Sequence, residues 1–173
     1  MAMDTKLVKV LLEVAPADWH SVSTETLWAS PMGDHLYQLK NSPFFTKGFS
    51  YLDIVRAEFS DDAGFLVVKE VVGKSGHSTY AIWIANGIEG NADFSMHWQS
   101  LEKAGCTYEG AHGQLISVDV PASADVVEAF RLMQAGEDAG VWHFQEQNYE
   151  HAVLWSGQVQ AEQAAHTEGQ DQK

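Results

Sequence analysis

Cationic side chains are scarce in this chain: its 173 residues hold only 10 Lys and Arg against 24 Asp and Glu, a formal charge of -14. Nonspecific nucleic-acid binding draws most of its affinity from Lys and Arg set against phosphates, so a DNA or RNA surface is not expected. An anionic membrane surface is disfavoured for the same reason. Cysteine is rarer still. Cys106 stands alone, so it closes no internal disulfide, and no cysteine pair offers a thiolate framework for structural zinc. A reducing compartment fits. No run approaches the roughly 20 apolar residues of a membrane span. The opening MAMDTKLVKVLLEV has no basic segment followed by a long apolar one, as a secretory leader would. A cytoplasmic location is the expectation.

What is present is the composition of a globular protein, 45% apolar and 11% aromatic with 20% charged. The negative charge is uneven. Residues 1–103 carry 13 acids and 8 bases, whereas 104–172 carry 11 acids and Arg131 alone. The segment from Val159 onward holds Gln, Ala and Glu with no aromatic residue, which reads as a disordered acidic tail. Ahead of it the C-terminal half is itself acidic.

Periodicity divides the chain near residue 85. Leu7–Val14 reads as a strand ended by Ala15-Pro16. Glu25–Ala29 and His35–Leu39 form a hairpin about the turn residues Gly33-Asp34. A second hairpin joins Asp53–Phe59 to Phe65–Val72 through Ser60–Gly64, and His77–Ile84 follows with Tyr80, Ile82 and Ile84 on one face. Residues 1–85 thus predict a β-meander or small barrel. Beyond, Asn91 or Asp93 caps a helix with Phe94, Trp98 and Leu101 in register, stopped by Gly105. Leu115–Val120 alternates as a strand with Ser117 and Asp119 on a wet side. A helix begins at Pro121 or Ser123, buries Val126, Phe130 and Met133, and ends at Gly136, before a last strand at 141–147. The fold class is therefore α+β: a β lobe at 1–85, a β-α-β-α-β lobe at 86–158 that shares strand 77–84, with helices on one face of a mixed or antiparallel sheet, and a tail at 159–173.

Motifs of chemistry are weak. GKSG at 73–76 lacks the glycine that opens a phosphate loop, since Val68 stands in its place, and it leads into a strand. Ser75, His77 and Ser78 lie together without a nucleophile elbow. His143, Glu146, Glu150 and His151 are the densest metal-type set, but strand alternation separates His143 from Glu146, and the histidines read as surface residues. Cys106, beyond a helix C-terminus, reads as packing. Asp61-Asp62 and Glu137-Asp138 read as solvated turns. The run Pro43-Phe44-Phe45 with Gly48–Tyr51 reads as a lid on the β lobe or an apolar patch for a partner. No catalytic residue, metal or cofactor is expected.

The strings ETLWASPMGDHLYQLKNSPFF, GFSYLDIVRAEF, VVGKSGHSTY and GVWHFQE, in that order between Leu7 and Tyr149, resemble an uncharacterised bacterial domain-of-unknown-function family. The resemblance implies a single conserved domain and transfers no catalytic residue. Two functions compete. One is a protein-binding domain, of the immunity or antagonist type, presenting Glu109, Glu128, Glu137, Asp138, Glu146 and Glu150 to a basic partner such as a bacterial toxin. The other is a small-molecule-binding or regulatory domain with a pocket between the lobes, lined by Phe44, Phe45, Tyr51 and Trp83.

Overall fold

In a computed structural model, which describes residues 6–111 and 113–151, the first half of the chain closes into a five-stranded barrel. Strands β1 (Val8–Glu13), β2 (Thr24–Gly33), β3 (Leu36–Leu39), β4 (Ile54–Ser60) and β5 (Phe65–Gly73) pair antiparallel in succession. A short parallel pairing of β5 with β1, Val10↔Leu66 and Leu11↔Val67, closes the ring. Alternation supplies the filling: Val10, Leu12, Leu27, Ala29, Leu39, Val55 and Ala57 point inward and form one apolar cluster. The β2–β3 turn holds Gly33, Asp34 and His35 all at positive φ (88°, 52° and 61°), which explains why Gly and Asp stand there.

The second half runs β6 (Ser78–Trp83), α1 (Ala92–Lys103), β7 (Thr107–Ala111), β8 (Leu115–Val120), α2 (Val126–Asp138) and β9 (His143–Asn148). The sheet order is β7-β8-β6-β9 with every neighbour antiparallel, the split β-α-β, ferredoxin-like arrangement. By its pairing β6 belongs wholly to this sheet. Asn91 caps α1 by accepting from the Phe94 N–H at 3.0 Å, and Asp125 caps α2 by accepting from the Val127 and Glu128 N–H groups at 3.0 and 3.1 Å. Both helices cover one face of the sheet, where Tyr80, Ile82, Trp98, Leu101, Ile116 and Met133 are part of the larger core. No helix among the described residues is long and apolar enough to cross a membrane.

The α+β class and the N-terminal barrel stand as expected, with several corrections of detail. An extra strand, β7, lies where the sequence predicts only a connection; at five residues with Gly110 inside it, TYEGA carries no periodicity. α2 starts after Asp125, not at Pro121 or Ser123, because residues 121–124 form a turn in which the Ala124 N–H donates to the Pro121 carbonyl at 2.9 Å, and Asp125 then caps the helix. Its buried stripe is Val126, Ala129, Met133 and Gly136, which leaves Phe130 44% exposed. Gly136 does not end the helix; it lies inside it, where a Cβ would overlap the indole of Trp142. That indole is buried and donates from Nε1 to the Met133 carbonyl at 2.8 Å. The expected tail at 159–173 lies outside the described residues.

A further correction bears on the site. Strand β8 is buried on both faces, so Ser117 and Asp119 have no wet side. What covers them is the β3–β4 connection, residues 40–53, which is laid between the barrel and the helix-free face of the second sheet. Phe49 packs against the barrel core. Ser117 Oγ donates to the Pro43 carbonyl at 2.7 Å, and Gln147 Nε2 donates to the Phe44 carbonyl at 2.8 Å. The aromatic run is thus a spacer held by both lobes, not a lid over one.

Candidate functional site

The seam between the lobes is where most of the buried polar side chains collect: Ser42, Thr46, Ser50, Asp53, Thr79, Ser117, Asp119 and Gln147 are all buried. Burying such groups is tolerated only with partners. Glu25 of β2 provides the largest single set. Its carboxylate accepts from the N–H groups of Phe44 (2.6 Å), Phe45 (3.1 Å) and Thr46 (3.0 Å) and from Thr46 Oγ1 (2.9 Å), so one side chain fixes three successive peptide planes. Ser50 Oγ accepts from Thr79 Oγ1 and from Asn148 Nδ2, each at 2.9 Å. The Gln147 Oε1 atom is buried without a partner among the described residues.

At one end of the seam Asp53 accepts from the Ser75 and Ser50 N–H groups, each at 2.9 Å. Burial pushes its carboxyl up to about 6 from an ordinary 3.8; the two N–H donors oppose this, and the neighbouring Glu150, through like charge and a hydrogen bond, adds to it. A carboxyl whose folded pKa is raised contributes stability in full below its unfolded value and loses it as pH rises through the folded one. Asp53 therefore favours the fold at mildly acidic pH and ceases to do so between about pH 4 and pH 6. Melting of the wild type should decline over that interval relative to an Asp53→Asn variant, with a differential of about 2–3 kcal/mol. Parallel titration curves would show that the Asp53 carboxyl does not titrate in this window.

Beside it lies a polar cavity of about 420 Å³, which Tyr51, His77, Glu109 and Asp119 help to line. His77 Nδ1 is 2.8 and 3.0 Å from the two Asp119 oxygens, and Tyr51 meets the imidazole edge-on at 5.5 Å between centroids. Burial raises the Asp119 carboxyl while His77 draws it back; burial likewise raises Glu109, which accepts from the Ser42 N–H at 3.0 Å. His151 is also internal, hydrogen-bonded through Nδ1 to Ser78 Oγ at 2.7 Å and through Nε2 to the Pro121 carbonyl at 3.1 Å. The histidines are thus not all surface residues. Burial pushes the Cys106 thiol up to about 12, which leaves it as packing.

At the other end of the seam the lobes part and leave a cleft of about 490 Å³. Trp19, His20 and Phe45 form its barrel-side wall, and Trp83, Leu115 and Phe144 are on its sheet-side wall. Trp19 stacks on Phe45 with centroids 5.5 Å apart, and Trp19 and Trp83 stay 43% and 45% exposed although aromatic. Such surface is ordinarily buried or used.

Of the four residues expected to line an inter-lobe pocket, Phe45 and Trp83 meet in this cleft, Tyr51 lines the polar cavity instead, and Phe44 lines neither. Trp19 and His20 escaped the reading because they follow a proline-broken strand end with no pattern of their own. The six acids do not converge. Glu109 and Glu150 turn into the seam, the latter accepting from the Gly76 N–H at 2.8 Å. Glu128, Glu137 and Asp138 belong to α2 and Glu146 to β9; Glu128 is paired with Arg131 at 2.7 Å and Glu137 approaches His143 at 3.3 Å. Glu137-Asp138 ends a helix, not a turn. His143 and His151 are held by different partners, and no cluster of three or more His, Cys, Asp or Glu suited to a metal occurs among the described residues.

The family described as "Domain of unknown function (DUF4265)" matches residues 25–144, which takes in most of both lobes and the connection between them. The chain belongs to the DUF4265 family. The expected membership in a domain-of-unknown-function family is thereby met. A solved structure described as that of a hypothetical protein from Neisseria gonorrhoeae is similar to this DUF4265 chain with a TM-score of 0.69 at 17% identity, over 83% of this chain and 95% of that one. At that identity the likeness concerns the fold alone. No curated protein matches.

Proposed function

We propose that this DUF4265 protein is a binding module whose site is the aromatic cleft between barrel and sheet, and that it takes an apolar, ring-containing group. The supporting observation is the pair of half-exposed indoles, Trp19 and Trp83, which together with Phe45 line one cleft of about 490 Å³. A concave, mostly apolar site with a few polar groups in its lining, here His20, His143 and Gln145, is the usual form of a small-ligand pocket. Occupancy should quench indole fluorescence. An anilinonaphthalene dye is expected to bind the wild type and to lose about tenfold or more in affinity in a Phe45→Ala/Trp83→Ala double variant, as loss of two aromatic anchors implies. Equal binding by the folded double variant would remove the cleft from consideration. A thermal-shift screen of metabolites would then name the natural ligand class.

A second reading rests on charge. Glu137, Asp138 and Glu146 lie on the α2 and β9 layer, where Arg131, the one Arg or Lys of residues 104–172, is engaged by Glu128. This supports a basic protein partner, an immunity or antagonist role toward a basic toxin being its specific form.

A further inference from the structure

We propose that the outer edge of β9 receives an extended, basic and apolar segment of a partner protein as an added strand. The inference rests on the cleft reading and extends it from a pocket to a groove. β9 is an edge of the second sheet; among the described residues no strand pairs with its outer side, and only at its far end does another backbone reach it, where the Gln147 carbonyl accepts from the Gly48 N–H at 3.1 Å. Natural edges are usually blunted by Lys or Pro. HFQEQN contains neither, and its one irregularity lies at the far end, opposite Thr79 and Tyr80. At the near end the Phe144 backbone N–H donates to a side chain, Glu137 Oε1, at 3.3 Å. A carboxylate oxygen there plays the part that a strand's carbonyl would play.

Both faces of this edge are hollow. On the barrel side lies the cleft with Trp19, Phe45 and Trp83. On the helix side a groove of about 340 Å³ is lined by Tyr80, Val127, Phe130, Glu146 and Tyr149. Val127 and Phe130 are 43% and 44% exposed, and Phe130 meets Phe144 edge-on at 5.4 Å, so the two hollows adjoin across one residue of β9. An added strand sends successive side chains to opposite faces, and main-chain bonds supply affinity while flanking pockets select the side chains. One residue would enter the aromatic cleft and the next the groove. Charge selects the rest of the occupant: Glu137, which accepts from the Phe144 N–H, and Glu146 of β9 itself lie at the edge in a chain of charge -14, so Lys or Arg between the apolar residues complements it.

The test uses the full chain and a fluorescein-labelled octapeptide alternating Lys with Val and Phe. Binding is expected in the micromolar range and should weaken about tenfold or more at roughly 0.5 M salt, where surface charge is screened. N-methylation of alternate peptide nitrogens should abolish it, because strand addition depends on those donors. Replacing Lys by Glu in the peptide, or Glu146→Lys in the protein, should cost a comparable factor. Equal affinity for the N-methylated peptide, binding that ignores Glu146→Lys, or salt-independent dimerisation of the chain through this edge would overturn the proposal. Dye binding measured in parallel separates the two readings: dye bound without peptide leaves the cleft and defeats strand addition, and loss of both defeats the two together.

Discussion

Replacing Gly136 by Ala is expected to destabilise the protein by about 3 kcal/mol, although alanine is the better helix former by roughly 1 kcal/mol. The reason is contact, not backbone freedom. Gly136 sits within α2, and an added Cβ would collide with the Trp142 indole, which is 2% exposed and bonded to the Met133 carbonyl one turn earlier. To admit the methyl group, α2 must lift from β9 or the indole must leave its donor position, and either movement opens the larger core. A cycle distinguishes this from a general helix effect. Trp142→Ala alone should cost about 3–5 kcal/mol, and in that background Gly136→Ala should become neutral or mildly stabilising. Urea unfolding of the four proteins measures it, and additive losses would contradict the contact.

The second large effect is expected at Glu25. Its carboxylate accepts four hydrogen bonds from residues 44–46, and Glu25→Ala leaves three peptide N–H groups and one hydroxyl without that acceptor. A loss of about 2–4 kcal/mol follows from the cost of unsatisfied donors together with a charge-assisted acceptor. The damage should be local first. Hydrogen exchange at Phe44, Phe45 and Thr46 should quicken more than at the barrel strands, and dye affinity at the cleft should fall with it because Phe45 forms one wall. Glu25→Gln keeps one oxygen acceptor and should lie between. Uniform exchange across the barrel would place the role of Glu25 in global stability, not in the loop.

Much of the fold was legible because its signals are local. Gly33-Asp34 marked a turn that does need positive φ, and Asn91 marked a cap that does accept from the Phe94 N–H. Period-two runs gave the barrel strands, and the change to a helical period located the second lobe. What escaped depends on partners distant in sequence. Ser117 and Asp119 look like the wet side of a strand until Pro43 and His77, 74 and 42 residues away, are laid against them. Glu25 looks like an exposed strand acid, and Gly136 like a terminator, because neither Thr46 nor Trp142 announces its approach. β7 carries too few apolar residues to show a period. Of the site, the idea of an inter-lobe aromatic cleft and two of its members, Phe45 and Trp83, could be read from the sequence; Trp19 and His20 required the packing of the β1–β2 connection on Phe45, and the hollow beside Phe130 required that of β9 against α2.

The seam between the lobes has a mechanical meaning. Apolar layers slide over one another at little cost, since dispersion has no preferred direction, whereas hydrogen bonds fail steeply with misalignment. Here the barrel and the second sheet keep separate apolar cores and meet through Glu25, Ser50, Ser117 and Gln147, each bonded at a fixed angle. The two halves behave as parts keyed together, not glued. Rotation of one against the other breaks several bonds at once, so the width of the cleft is fixed by the fold itself, and the proposed ligand would meet walls already in position.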